Sequence, residues 1–109
     1  MKSQIITTRS GETLALHQAA DGSWCCPACG SPELGQAPYS ENGAASFEMC
    51  SCGFEFGFDD DPGASAQALP SVVENLERWR SGVIAKYRSS EAKFTELRAQ
   101  LASIGVTNV

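Results

Sequence analysis

No apolar run in this 109-residue chain approaches the roughly 20 residues needed to cross a bilayer. The opening stretch, Met1 to Arg9, lacks the apolar core of a signal peptide, so a cytoplasmic protein is expected. There is one histidine, His17. The chain has no Ser-His-Asp set, no glycine-rich phosphate loop and no matched acid–base pair, so no enzyme is expected. Positive charge is scarce in the first seventy residues, where Lys2 and Arg9 stand against nine acidic side chains. Such a surface cannot displace counterions from phosphate, which argues against DNA or RNA and for a basic protein partner. Residues 71–109 carry six basic and four acidic side chains, and the whole chain is −5.

Cysteine is the residue type the chain does have. Two close pairs occur, Cys26-Pro27-Ala28-Cys29-Gly30 and Cys50-Ser51-Cys52-Gly53. Each sets two thiols on a tight turn that ends in glycine, and together they supply the four thiolates of a closed tetrahedral zinc site. The 20 residues between Cys29 and Cys50 suit one intervening hairpin. The candidate ligands are therefore Cys26, Cys29, Cys50 and Cys52, binding structural Zn²⁺. Cys25 is surplus: Cys26-x-x-Cys29 is the complete turn, whereas Cys25 would need a looser one. Its bland reading is a small buried hydrophobe. His17 could replace a thiolate, but a solitary strand histidine reads better as a surface residue. A site filled by sulfur leaves no position for a reactive water, so the metal is expected to hold the fold. Two other chemistries use such thiols. A redox Cys-Pro-Ala-Cys pair needs a helix starting behind the first thiol, and Gly30-Ser31-Pro32 opposes one. Iron in a rubredoxin-like site suits the first turn better than the short second one.

The remaining pattern predicts an α+β fold, a small zinc ribbon with an N-terminal β-hairpin and a C-terminal long helix or helical hairpin. Ile5–Thr8 and Thr13–Leu16 are β-leaning runs around the turn Arg9–Glu12. Gly35–Tyr39 and Ala45–Met49 read as strands joined by Ser40–Gly43, and Gly53–Phe58 reads as a strand with alternating aromatics. Phe54, Phe56 and Phe58 would then pack the ribbon against the helix. Residues 1–62 form this module, 63–70 a linker and 71–105 a helical segment. Ser71-Val72-Val73-Glu74 matches a capping box, and Gly105 a C-terminal cap. One heptad line runs through Val73, Arg80, Tyr87, Phe94 and Leu101, another through Leu76, Val83, Ser90, Leu97 and Ile104. Arg80 and Ser90 are its defects, and Gly82 and Ser89-Ser90 are candidate breaks. The phase persists across the serines, which favours a continuous or merely kinked helix over a hairpin.

From about Cys26 to Pro62 the chain resembles the small bacterial cysteine-rich CPCC family. Cys26-Pro27-Ala28-Cys29-Gly30 matches its first motif, with Ala28 where the family has cysteine. Phe47-Glu48-Met49-Cys50 matches the lead-in to its second, and Cys52, Phe54-Glu55 and Asp59-Asp60 its tail, with one residue fewer between the cysteines. The resemblance implies a zinc ribbon. It also implies a place among bacterial toxin–immunity proteins, hence inhibition of a basic toxin.

Asp59, Asp60 and Asp61 are candidate contacts for a basic partner, with a solvated turn before Pro62 as the plainer reading. No EF-hand spacing surrounds them, so calcium is not expected. Trp79 lies off the main heptad lines; it either seats the helix on the ribbon or is a second candidate contact, since tryptophan is enriched at interface hot spots. Arg78, Arg80, Lys86 and Arg88 would serve the alternative of a nucleic-acid-associated ribbon. The heptad stripe would serve a homodimer.

Overall fold

The computed structural model describes residues 2–109 and measures 36 × 34 × 22 Å. β1 (Lys2–Thr7) and β2 (Thr13–Gln18) form an antiparallel hairpin in which Ile6 faces Leu14 and Gln4 faces Leu16. Alternation puts Ile6 and Leu16 in the core and leaves Ile5 exposed. The pairing continues past β2 as single bridges, from Gln18 to Trp24 and from Trp24 to Leu34.

Beyond that point regular strands stop. The runs 35–39, 45–49 and 53–58, expected as strands, keep only the bridges Tyr39–Ala45 and Met49–Glu55. Local geometry explains the loss. Phe47 sits at φ 63°, outside extended backbone. The Phe58 and Asp59 amides turn back to the Glu55 carbonyl at 3.2 and 3.0 Å. A helical turn thus replaces the two-residue period after Phe56. Phe54 and Phe56 are fully buried as the alternation predicts, but Phe58 is turned outward and is 57% exposed.

Two helices close the structure, α1 (Val72–Tyr87) and α2 (Glu91–Ser103), so the continuous helix favoured by the heptad phase is broken at 88–90. A straight helix over 71–104 would run about 50 Å at 1.5 Å per residue. That exceeds the longest dimension of the molecule, 36 Å. The chain must fold back if Leu76 and Leu101, both buried, are to reach one core. The phase survives the break because both helices bury the same kind of stripe: Val72, Leu76 and Val83 on α1, Leu97 and Leu101 on α2.

Ser71 caps α1, its Oγ accepting the Glu74 amide at 3.0 Å, a contact worth about 1 kcal/mol. The next free amides of the first turn are satisfied from the hairpin loop. Val72 N–H donates to Ser10 Oγ at 2.8 Å and Val73 N–H to Glu12 Oε1 at 3.2 Å. At the far end, Val106 N–H reaches the Leu101 carbonyl at 2.9 Å and Gly105 N–H that of Ala102 at 3.0 Å, which closes α2. One hydrophobic core runs through Ile6, Leu16, Cys26, Phe54, Leu76 and Leu101. Residues 63–70 therefore join two parts of a single packed unit. Asn75 ties them down: its buried amide donates to the Asp60, Leu69 and Ser71 carbonyls and accepts the Leu69 amide.

Candidate metal centre

Each cysteine pair sits on a short knuckle closed at its base by a bridge. In the first, Trp24 and Leu34 exchange both backbone hydrogen bonds, at 2.9 and 3.1 Å. Inside it, Cys26 N–H donates to Ser31 O and Gly30 N–H to Cys26 O. In the second, Met49 pairs with Glu55, Cys50 N–H donates to Phe54 O at 3.0 Å, and Gly53 N–H to Cys50 O at 2.9 Å. Gly30 has two reasons to be glycine. Its φ is +84°, and a Cβ there would lie 2.3 Å from the Gln100 carbonyl oxygen of α2.

The folded chain brings the four sulfurs of Cys26, Cys29, Cys50 and Cys52 within 4.8 Å of one another, with Cys29 Sγ and Cys50 Sγ at 3.5 Å. A tetrahedral ion with metal–sulfur bonds of about 2.3 Å needs sulfur–sulfur edges of about 3.8 Å, so the cluster has the size of a four-thiolate site. All five cysteines are free thiols. Cys25 stands apart: it is buried, its amide donates to the His17 carbonyl at 2.8 Å, and its sulfur is not in the cluster. His17 is outside it too.

Electrostatics points to a cation. Four adjoining sulfurs cannot all ionise unaided. Cys26 is pushed far above the ordinary thiol range, first by hydrogen bonding with Cys29, Cys50 and Cys52 and then by burial. Cys52 is pulled far below it by the same contacts, and Cys50 falls to about 7 through its contacts with Cys26 and Cys29. A divalent ion offsets the repulsion among four adjoining thiolates and so lets all four ionise.

Three side chains brace the cluster; nothing in the sequence marks Glu33 or Arg80 for that role, whereas Trp79 is expected either to seat the helix on the ribbon or to meet a partner. Glu33, after the first knuckle, grips the second: Oε1 accepts Ser51 N–H and Oε2 accepts Ser51 Oγ–H, both at 2.6 Å, while Ser31 Oγ–H also donates to Oε2. Arg80, an apparent heptad defect, donates to the Ala28 carbonyl at 2.9 Å and the Pro27 carbonyl at 2.6 Å. Burial lowers its guanidinium pKa, while the charges of Glu77, Cys26 and Cys29 oppose that shift. Trp79, its neighbour on α1, donates its indole N–H to the Cys52 carbonyl at 3.2 Å and packs edge-on against Phe54, ring centres 5.5 Å apart.

The aspartate triplet is divided. Asp60, expected at a partner surface, is fully buried. Its carboxylate takes the Arg9 guanidinium at 2.6 Å, the Tyr39 hydroxyl and the Gly57 amide. Burial, then the Asp60 charge, pushes the Tyr39 pKa up. Burial pulls the Arg9 pKa down, but the hydrogen bond and charge of Asp60 outweigh it and the net shift is upward. Asp60 therefore anchors the core. Asp59, Asp61 and Trp79 share a cavity of about 450 Å³ between the 58–68 segment and α1, and Cys52 borders it.

No family model matches this chain, and neither a curated protein nor a solved structure matches it.

Proposed function

We propose that the chain is a non-catalytic, zinc-stabilised protein-binding module of the reducing cytoplasm. Its partner is a basic protein. The resemblance to the CPCC group adds that this partner is a bacterial toxin held inactive, as by an immunity protein. The observation that carries the reading is the four-thiol cluster itself. Every side of it is sulfur, three of the four cysteines are buried, and the cluster sits at the junction of hairpin, knuckles and helices. A structural zinc in small modules contributes on the order of 10 kcal/mol, comparable with the 5–15 kcal/mol of a whole domain. Zinc is preferred to iron because nothing in a fold-holding role requires electron transfer. Tetrahedral sulfur accepts either ion.

A side chain held at a cost supports the protein-binding part. Phe47 keeps a left-handed backbone at φ 63° and leaves 69% of itself exposed. Its ring lies over Gly57, where a Cβ would meet the ring at 2.5 Å. A bulky residue in that conformation costs about 1–2 kcal/mol, and such strain collects where a surface has a task. Met49, two residues on, is 60% exposed and pairs with Glu55. Glu41 and Glu55 lie in the same stretch, and the sequence has no Lys or Arg between Arg9 and Arg78. An apolar pair among carboxylates suits a basic protein surface. The nucleic-acid alternative has less support: Arg80 is turned onto the knuckle and Arg78 onto the Gln67 carbonyl at 2.5 Å.

Metal analysis of gently purified, reduced protein tests the first part: one zinc per chain is expected. Visible absorption would reveal iron instead, and absence of any stoichiometric metal would overturn the reading. For the second part, affinity capture from bacterial lysate should yield a basic protein whose re-formed complex weakens with Phe47→Ser or Glu55→Lys. Recovery of nucleic acid alone, or a complex indifferent to both changes, would refute it.

A further inference from the structure

The cavity between the 58–68 segment and α1 has walls of opposite charge. On one side the 58–68 segment presents Asp59 and Asp61, and on the other α1 presents Arg78 and Lys86. Phe58 and Trp79 line the cavity as well. A volume of about 450 Å³ is within the usual range for small-molecule sites, roughly 300–1,000 Å³. Its walls are held in place beforehand. One Asp59 oxygen accepts the Glu55 amide at 2.8 Å, and one Asp61 oxygen accepts the Gly63 amide at 3.1 Å and lies 3.9 Å from the Arg9 guanidinium. Arg78 is steadied on the Gln67 carbonyl, and Trp79 on the Cys52 carbonyl and Phe54. The helix face between Trp79 and Lys86 is left bare by Gly82, where a Cβ would meet nothing within 4 Å.

We propose that this groove binds a small zwitterion with an apolar body, an α-amino acid with a large hydrophobic side chain. Its ammonium group sits at Asp59 and Asp61, its carboxylate at Lys86 and Arg78, and its side chain against Trp79 and Phe58. Two facing charge pairs select for a ligand that carries both signs. An ammonium alone is repelled by the helix wall, and a carboxylate alone by the aspartates. The site uses different residues from the Phe47–Met49 face, and it goes beyond the reading of the chain as a protein-binding module.

The test is a titration of the metal-loaded, full-length protein with L-phenylalanine, followed by the Trp79 indole N–H resonance and the amides of residues 59–63. Phenethylamine and 3-phenylpropionate, each with one of the two charges, serve as probes of the opposite walls. Saturable shifts with L-phenylalanine are expected, with each half-ligand at least about tenfold weaker. Lys86→Gln and Asp59→Asn should each weaken L-phenylalanine by about tenfold. Gly82→Leu should abolish binding by filling the groove, at a position where an added Cβ meets nothing within 4 Å. The proposal is overturned by the absence of saturable shifts up to about 20 mM. It is equally overturned if a half-ligand binds as well as L-phenylalanine, or if Gly82→Leu, folded and metal-loaded, binds unchanged. None of these results bears on metal content or on capture of a basic protein.

Discussion

Glu33 and Ser51 lie 18 residues apart in sequence and are joined by two hydrogen bonds of 2.6 Å. One carboxylate thereby locks the first cysteine knuckle to the second. α1 adds a second clamp through adjacent residues, Trp79 holding the Cys52 carbonyl and Arg80 those of Pro27 and Ala28. The thiol cluster is thus braced from two sides before any ion is considered, as a site must be if its geometry is to be held.

Metal removal should unfold the protein. A chelator strong enough to strip the ion is expected to abolish the cooperative melting transition, because the cluster lies inside the one core. Cys26→Ser and Cys50→Ser should each lower metal content below one ion per chain. Cys25→Ser should keep full loading, its sulfur being outside the cluster. Metal analysis with circular dichroism checks this, and an unchanged melt after proven metal loss would remove the structural role.

The Arg80 clamp should show itself in kinetics. Arg80→Met keeps much of the side-chain bulk and removes two donors from buried carbonyls. A loss of about 1–3 kcal/mol is expected, with faster metal transfer to a chromogenic chelator. Trp79→Phe, which removes one donor, should cost only about 1 kcal/mol. Equal metal release from wild type and Arg80→Met would show that the clamp is idle.

Asp60 should behave unlike its neighbours. Asp60→Ala leaves Arg9 and the buried Tyr39 hydroxyl without their partner, and about 3–5 kcal/mol should be lost. Asp59→Asn, at the groove rim, should change stability by less than about 1 kcal/mol. Urea denaturation of the two variants distinguishes them.

Glu12 should contribute an acid limb to stability. Burial raises its pKa, but hydrogen bonds from Ser10 and the Val73 amide lower it more, and the net shift is below the ordinary 4.5. A carboxyl depressed by folding stabilises above its unfolded pKa, and that gain is lost as pH falls through the folded value. The stability difference between wild type and Glu12→Gln should therefore be constant above about pH 5 and close below about pH 4.5. Comparing the two proteins at each pH cancels the acid release of metal common to both.

Phe47 should trade stability for binding. Phe47→Asn relaxes a left-handed backbone position, at the loss of ring contact with Gly57, and stability should stay within about 1 kcal/mol of wild type. Partner affinity should fall, because a large exposed apolar side chain is gone. A variant that binds as tightly as wild type would take Phe47 out of the interface.

Local rules reach a definite part of this molecule from sequence. Cys-x-x-Cys and Cys-x-Cys turns, alternation at Ile6 and Leu16, the Ser71 cap and the Gly105 stop each depend on residues close in the chain, so spacing alone exposes them. Contacts at long range obey no such spacing. Asp60 reads as one of three surface aspartates until Arg9 and Tyr39 arrive from 51 and 21 positions away. Arg80 reads as a flaw in a heptad until the carbonyls of a knuckle 52 positions upstream come beneath it. The break at 88–90 follows the same logic: helical periodicity is a property of neighbours, but whether a helix must fold back depends on the size of the core it covers. Covalent geometry and side-chain type determined which pieces form. Only the packing of those pieces decided which charges are buried, which carbonyls need donors, and where opposed charges are left to face a common groove.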